Sequence, residues 1–197
     1  MPRPKTFDET VVLEKAMELF WQQGYHATGY NDLVKHLGIS RASLYDTYGP
    51  KHELFEKAFK LYTSQNNLKT KAFLAQQESV LQGLKKLLIN SMQEDLTEAG
   101  PKGCLVVNTA TELLADDPHT AAYLLAHKEE TERLFAEFLE RGQRQGEITT
   151  EQSALQLAEY FFAFYGGLKV MVKIRPEYAY LASMIETGLK ALASPNA

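Results

Sequence analysis

The chain's seven prolines, Pro2, Pro4, Pro50, Pro101, Pro118, Pro176 and Pro195, constrain the fold more than any other feature. They leave uninterrupted runs over 51–100 and over 119–175. A residue that removes a backbone donor and clashes with the preceding turn is thereby kept out of the long interiors. Within those runs and before them, apolar residues recur at helical offsets, as in Val12, Leu13, Ala16, Met17 and Phe20 or Leu54, Phe55, Ala58, Phe59 and Tyr62. No sustained two-residue alternation appears, so the chain is read as all-α. Start and stop signals divide it into about nine helices, over 7–23, 29–36, 40–47, 51–73, 76–98, 104–114, 117–144, 150–175 and 177–192. Thr6-Phe7-Asp8-Glu9 matches a capping box, Gly24 ends the first helix, Asp116-Asp117-Pro118 marks a helix start and Pro176 a stop. Glu98 to Gly103 reads as a loop.

Helix length changes near residue 50, which suggests two parts: 1–50, with three compact helices, and 51–197, with mostly longer ones rich in aromatics. With 197 residues and 45% apolar side chains, the chain has enough material for one core or two small ones. A single cysteine, Cys104, excludes a disulfide framework and any cysteine-cluster metal site, and suits a reducing cytoplasm. The most apolar window, Tyr160 to Leu168, falls far short of the roughly 20 residues of a membrane span. Arg3 and Lys5 are followed by Thr6, Phe7, Asp8 and Glu9 instead of an apolar segment, so no secretory signal is read there. His119 and His127 are too far apart in sequence to form a paired metal motif, and no phosphate-cradling glycine loop or catalytic triad order appears. No residue is given a catalytic role, no cofactor or metal is expected, and the chain is read as no enzyme.

The strongest local signal is Tyr30-Asn31-Asp32-Leu33-Val34-Lys35-His36-Leu37-Gly38-Ile39-Ser40-Arg41-Ala42-Ser43-Leu44-Tyr45. Leu33, Leu37, Ile39 and Leu44 close a small shared core, Gly38 takes the positive backbone angle of a tight helix exit, and Ser40 caps the second helix. That is a helix-turn-helix. Its second helix presents Arg41, Ala42, Ser43, Tyr45 and Asp46 near the amino-terminal end, which such helices insert into the major groove.

Residues 7 to 60 resemble the TetR family of bacterial transcriptional regulators in order and spacing. Gly24-Tyr25-His26-Ala27-Thr28 is similar to that family's Gly-aromatic-x-x-Thr segment. Gly38-Ile39-Ser40-Arg41-Ala42-Ser43-Leu44-Tyr45-Asp46-Thr47-Tyr48 is similar to its Gly-Val-Ser-Lys-Gly-Thr-Leu-Tyr-x-His-Phe, and Lys51-His52-Glu53-Leu54 to its Lys-x-x-Leu. Val34 stands where alanine is frequent, Ala42 where glycine is, and Thr47-Tyr48 replaces His-Phe. The resemblance implies an N-terminal three-helix DNA-binding domain and a larger helical domain that dimerises and binds a small effector. It also implies a cytoplasmic repressor that releases a palindromic double-stranded DNA operator when the effector binds.

Carried over residue by residue, the DNA contacts are Thr28, Arg41, Ala42, Ser43, Tyr45, Tyr48 and Lys51, whose hydroxyl and cationic groups suit phosphate and base edges. For Tyr45 and Tyr48, packing of the three-helix core is the other reading, and for Tyr48 an equal one. Residues 1 to 60 hold eight basic and eight acidic side chains, so any DNA attraction comes from their distribution, with Lys35, Arg41 and Lys51 against Asp46 around the turn. Beyond residue 60 the balance is 13 basic to 17 acidic, with no basic stripe.

In the larger part, apolar stripes run along the last two helices. Either they are core, or, as the resemblance implies, part of them forms a four-helix homodimer interface through Phe161, Leu168, Leu181, Ile185 and Leu189, with Gly166-Gly167 allowing close approach. Effector lining is sought among Cys104, Val107, Asn108, Thr111, Phe161 and Tyr165. Cys104 at a helix start is open to two readings, a small core residue or a thiol sensor of oxidants or electrophiles. A helical protein-interaction module that kept the turn motif only as scaffold is the competing reading of the whole chain.

Overall fold

The computed structural model describes residues 7–96, 100–115 and 117–195. Arg3, Lys5, Thr6, Asp116 and the start of the expected 98–103 loop lie outside the described residues. Among the described residues the chain forms nine α-helices and no strand: α1 Glu9–Gln23, α2 Tyr30–Leu37, α3 Arg41–Tyr48, α4 Lys51–Ala75, α5 Val80–Asp95, α6 Leu105–Leu113, α7 Pro118–Gln145, α8 Ala154–Ile174 and α9 Tyr178–Lys190. One isolated antiparallel bridge joins Ile148 to Ala193.

The caps explain where the helices begin. Asp8, two residues into the expected box, caps α1 by accepting from the amides of Thr10 and Val11, so the helix starts at Glu9 rather than 7. Ser79 caps α5 through the Gln82 amide, which makes that helix shorter than the 76–98 reading. Pro118 occupies the first position of α7, where its missing N–H has no partner to lose. Asp117 before it accepts from the amides of His119 and Thr120 and from the Thr120 hydroxyl. Ser153 and Gln156 form a capping box that starts α8 at Ala154 instead of 150.

The helices form two compact units. The first takes the chain through Gln65 together with Leu105–Ala121, and so includes α6. Its core is Val12, Ala16, Leu19 and Phe20 of α1, Leu33 and Leu37 of α2, Leu44 of α3, and Leu54, Phe55, Ala58 and Phe59 of α4. Phe20 meets Phe55 edge-on at 5.1 Å, and burying each such ring contributes about 1.5–3 kcal/mol.

The second unit comprises Asn66–Cys104 and Ala122–Ala197. Leu84, Leu88 and Met92 of α5, Phe135 and Leu139 of α7, Phe161, Leu168 and Val172 of α8, and Leu181, Ile185 and Leu189 of α9 share one core. Gly188 lets α9 close on the Phe164 ring, which would collide with any added Cβ. The five residues expected at a subunit seam, Phe161, Leu168, Leu181, Ile185 and Leu189, are all buried within this single chain. Their side chains belong to the shared core of the second unit. Gly167, by contrast, has open space where a Cβ would stand.

Candidate nucleic-acid interface

The turn between α2 and α3 is built as its residues dictate. Gly38 leaves α2 in the left-handed region, φ 71° and ψ 22°, and its amide donates to the Val34 carbonyl. A side chain there would cost about 1–2 kcal/mol. Ser40, two residues on, is extended and accepts from the Ser43 amide at 3.1 Å, starting α3. Leu33 and Leu44 are fully buried and Leu37 nearly so, which fixes the angle of α3 on α2.

This leaves one side of α3 uncovered. Arg41, Ala42, Tyr45 and Asp46 are exposed and Ser43 is half-buried, so Arg41, Ala42, Ser43 and Tyr45 are brought together on the amino-terminal half of the helix. Tyr45 keeps 59% of its surface open, so its ring and hydroxyl are available to a groove. The Ser43 hydroxyl pairs with that of Ser40 at 2.9 Å. The Arg41 guanidinium lies over the Tyr30 ring, 4.5 Å from its centre.

The other three expected contacts are turned inward. Thr28 is fully buried and its hydroxyl donates to the Gly24 carbonyl at 2.6 Å. Tyr48 is 4% exposed, and its hydroxyl donates to the Glu9 carbonyl at 2.7 Å. Burial, helped by Glu9 and Asp8, pushes that phenol up to about 12. Lys51 is half-buried, with Nζ donating at 2.9 Å to the carbonyls of both Tyr25 and Thr28 and standing 4.2 Å from the Tyr25 ring centre. Burial pulls its ammonium down, while Glu112 opposes that shift. In place, Thr28 and Lys51 hold the turn after α1, while Tyr48 ties the end of α3 to the start of α1.

Two residues of this site escaped the sequence. Tyr30 opens α2, its hydroxyl accepts from the Lys51 amide at 2.9 Å and its ring carries Arg41; an aromatic at a helix start was the only available sign. Glu112 accepts from the amides of Tyr25 at 2.9 Å and His26 at 2.6 Å, a partner separated by more than eighty residues and invisible to any local pattern.

The expected effector residues divide between the units. Val107, Asn108 and Thr111 lie on α6 in the first; Thr111 is exposed and its hydroxyl donates to the carbonyls of Val107 and Asn108. Cys104, Phe161 and Tyr165 lie in the second. Phe161 is fully buried and packs edge-on against Phe135 at 4.8 Å. Tyr165 shares a 2.7 Å hydrogen bond with Ser91, and Lys169 beside it donates to Asp95 at 2.6 Å and to the Ser91 carbonyl at 2.9 Å. Burial lowers the Lys169 ammonium, but Tyr165, Asp95 and Cys104 together outweigh it and hold the group above its ordinary value. Cys104 is half-buried at the edge of this cluster. Among the described residues no group of acidic, His or Cys side chains is arranged to hold a metal ion, and no helix is long and apolar enough to cross a membrane.

A helix-turn-helix with an open recognition helix, carried by an all-helical chain, defines a DNA-binding regulator. Residues 12–58 match bacterial regulatory proteins of the tetR family, and residues 81–187 match the tetracyclin repressor-like C-terminal domain. The chain is 32% identical over 193 residues to an uncharacterised HTH-type transcriptional regulator, YezE of Bacillus subtilis, covering 98% of this chain and all of that one. It is 31% identical over 189 residues to the HTH-type transcriptional repressor ComR of Escherichia coli, covering 95% and 90%. Among solved structures, a cysteine-substituted form of the TetR family regulator CifR, complexed with a 26-bp double-strand operator DNA, superposes with a TM-score of 0.82 at 30% identity, over 96% of this chain and 99% of that one. The chain belongs to the TetR family and is a DNA-binding transcriptional regulator.

Proposed function

We propose that this regulator is a repressor that grips a palindromic operator as a homodimer in the cytoplasm and releases it when a small effector binds the larger helical part. The reading assigns DNA to the region 1–50 and effector binding with dimerisation to 51–197. One observation carries it: Arg41, Ala42, Ser43 and Tyr45 share an open face at the start of α3, the end that reaches base edges in such motifs. Thr28 and Lys51 serve this face from beneath by fixing the turn before α2, and Tyr48 by tying the end of α3 to the start of α1. That ComR is a repressor, and that CifR is seen on operator DNA, support the same assignment.

Dimerisation is supported by α8. Tyr160, Ala163, Gly167, Val170 and Ile174 follow one another at three- and four-residue steps, all exposed, with Tyr160 39%, Val170 37% and Ile174 68% open to solvent. They lie opposite the buried stripe of Leu157, Phe161, Leu168 and Val172. A helix apolar on both faces is one that expects cover on both, and the open Gly167 admits a close neighbour. Twofold pairing of two α3 helices then matches a twofold operator.

The effector is supported by the similarity of residues 81–187 to the tetracyclin repressor-like C-terminal domain. The test is to select duplexes from random fragments with the purified protein and to sediment the complex. Two chains per duplex and an inverted repeat in the selected sequence are expected. A single chain bound to a sequence without symmetry overturns the reading.

A further inference from the structure

The eight residues of α3 divide by angle as well as by burial. At about 100° per residue, Leu44 and Tyr48 share the side that is buried in the first unit. Ala42 and Asp46, four apart and therefore neighbours on the helix surface, share the side about half a turn away. Arg41 and Tyr45 flank them on one hand and Ser43 on the other. Asp46 thus holds the outermost place on the recognition helix.

The fold gives this carboxylate no task. Its side chain is exposed and makes no hydrogen bond or ion pair among the described residues. The cations of the motif are engaged elsewhere, Arg41 over the Tyr30 ring and Lys51 at two carbonyls. Asp46 caps neither end of α3, which Ser40 begins and Gly49 closes through the Tyr45 carbonyl. Its position in the last turn opposes the helix dipole, which favours cations there. Facing DNA, it also repels phosphate on every sequence alike, so its presence at the centre of such a face calls for a base that rewards it.

The bases differ in what they offer a group that only accepts hydrogen bonds. In the major groove guanine shows two acceptors, thymine an acceptor and a methyl group, adenine an acceptor beside its amine, and cytosine its N4 amine alone. We propose that Asp46 is a specificity-determining residue, its carboxylate accepting from the N4 amine of a cytosine at one position of each operator half-site. The proposal rests on the DNA face assigned above and adds to it the acidic residue which that face turns outward. Ala42, one turn nearer the start of α3, carries only a methyl group and so does not hold the helix off the bases on that side. The carboxylate acts twice, since it is attracted by cytosine and repelled by the acceptors of guanine and thymine, and specificity is the difference between the two.

Competitive binding of the full chain to duplexes selected by the parent, varied one base pair at a time and symmetrically in both half-sites, tests this with Asp46→Ala and Asp46→Asn. The parent should prefer cytosine by about tenfold at one position of each half-site. In Asp46→Ala that preference should fall to about twofold or less while preferences elsewhere in the site stay. Binding to unrelated duplexes should tighten at the same time, because a charge that repels phosphate is gone. In Asp46→Asn the same position should leave cytosine for adenine, whose N6 and N7 suit a side-chain amide. Both variants should melt as the parent does, since the side chain has no partner in the fold. Retention of the cytosine preference by either variant overturns the proposal, as does a parent site with no such position. Tighter binding to all duplexes with every preference unchanged also overturns it, leaving Asp46 a repelling charge alone. A loss spread evenly over all positions does the same, because the residue would then act through the packing of α3. If the parent selects no sequence at all, it is the DNA face beneath the proposal that falls.

Discussion

Arg41 and Lys51 are cations of the same motif in opposite surroundings. Arg41 lies on the open side of α3 against one ring, whereas Lys51 has its ammonium between two carbonyls. Arg41→Ala should therefore weaken binding to a selected duplex by about 1–3 kcal/mol and leave the thermal midpoint unchanged. Lys51→Ala should lower both, because the Thr28 carbonyl loses its ammonium partner and the Tyr25 carbonyl one of two donors. Paired melting and binding curves separate them; equal losses of midpoint would remove the distinction. Tyr48 offers a second residue-scale check. Its neutral form is favoured by the fold, with ionisation moved from 10.0 to about 12, so its stabilising contribution is complete below pH 10 and is lost as pH rises from there toward 12. Tyr48→Phe should cost about 1 kcal/mol near pH 7 through the lost bond to the Glu9 carbonyl, and should show a shallower alkaline decline in thermal midpoint between pH 9 and 11. A decline as steep as the parent's would assign it to other groups. The sequence left Tyr48 between DNA and core because a tyrosine at the end of a short amphipathic helix satisfies both patterns.

At the scale of elements, α8 shows what periodicity can and cannot say. Its three- and four-residue spacing was legible, and so was its apolar character over most of its length. Which of two apolar faces turns inward was not, because Leu157, Phe161, Leu168 and Val172 on one side and Tyr160, Val170 and Ile174 on the other read alike until α5, α7 and α9 take their places. The faces predict different failures. Phe161→Glu and Ile185→Glu put a charge into a filled core and should abolish cooperative unfolding, with a cost on the order of several kcal/mol. Val170→Glu and Ile174→Glu put it at an exposed stripe and should leave helical content and melting of the isolated chain intact while producing monomers by sedimentation. Dimers that persist in both outer-face variants would move the interface to another surface. The α2–α3 element, by contrast, was readable almost completely, because Gly38, Ser40 and the four small-core leucine and isoleucine positions act within sixteen residues of one another.

For the whole molecule, DNA and fold are linked. A selected duplex at about 100 times its dissociation constant should stabilise the folded form by about 2.7 kcal/mol, read as a higher thermal midpoint, and the gain should shrink as salt rises because phosphate contacts release counterions. With equal numbers of acidic and basic side chains through residue 60, that salt dependence should be shallower than for a strongly basic domain. A midpoint indifferent to duplex at low salt would contradict a folded-state DNA site. The all-helical class, the order of the helices and the turn motif were determined by the sequence by itself, since prolines, caps and apolar spacing act over a few residues and need nothing distant to be decided. Only the tertiary structure decided that α6 joins the first unit, that Glu112 closes on the Tyr25 and His26 amides, and that Lys51 faces carbonyls. Those contacts join residues twenty to nearly ninety positions apart. Glu112, a helical glutamate with no periodic mark, acquires its role only when packing brings it against two amides left without partners at the end of another helix.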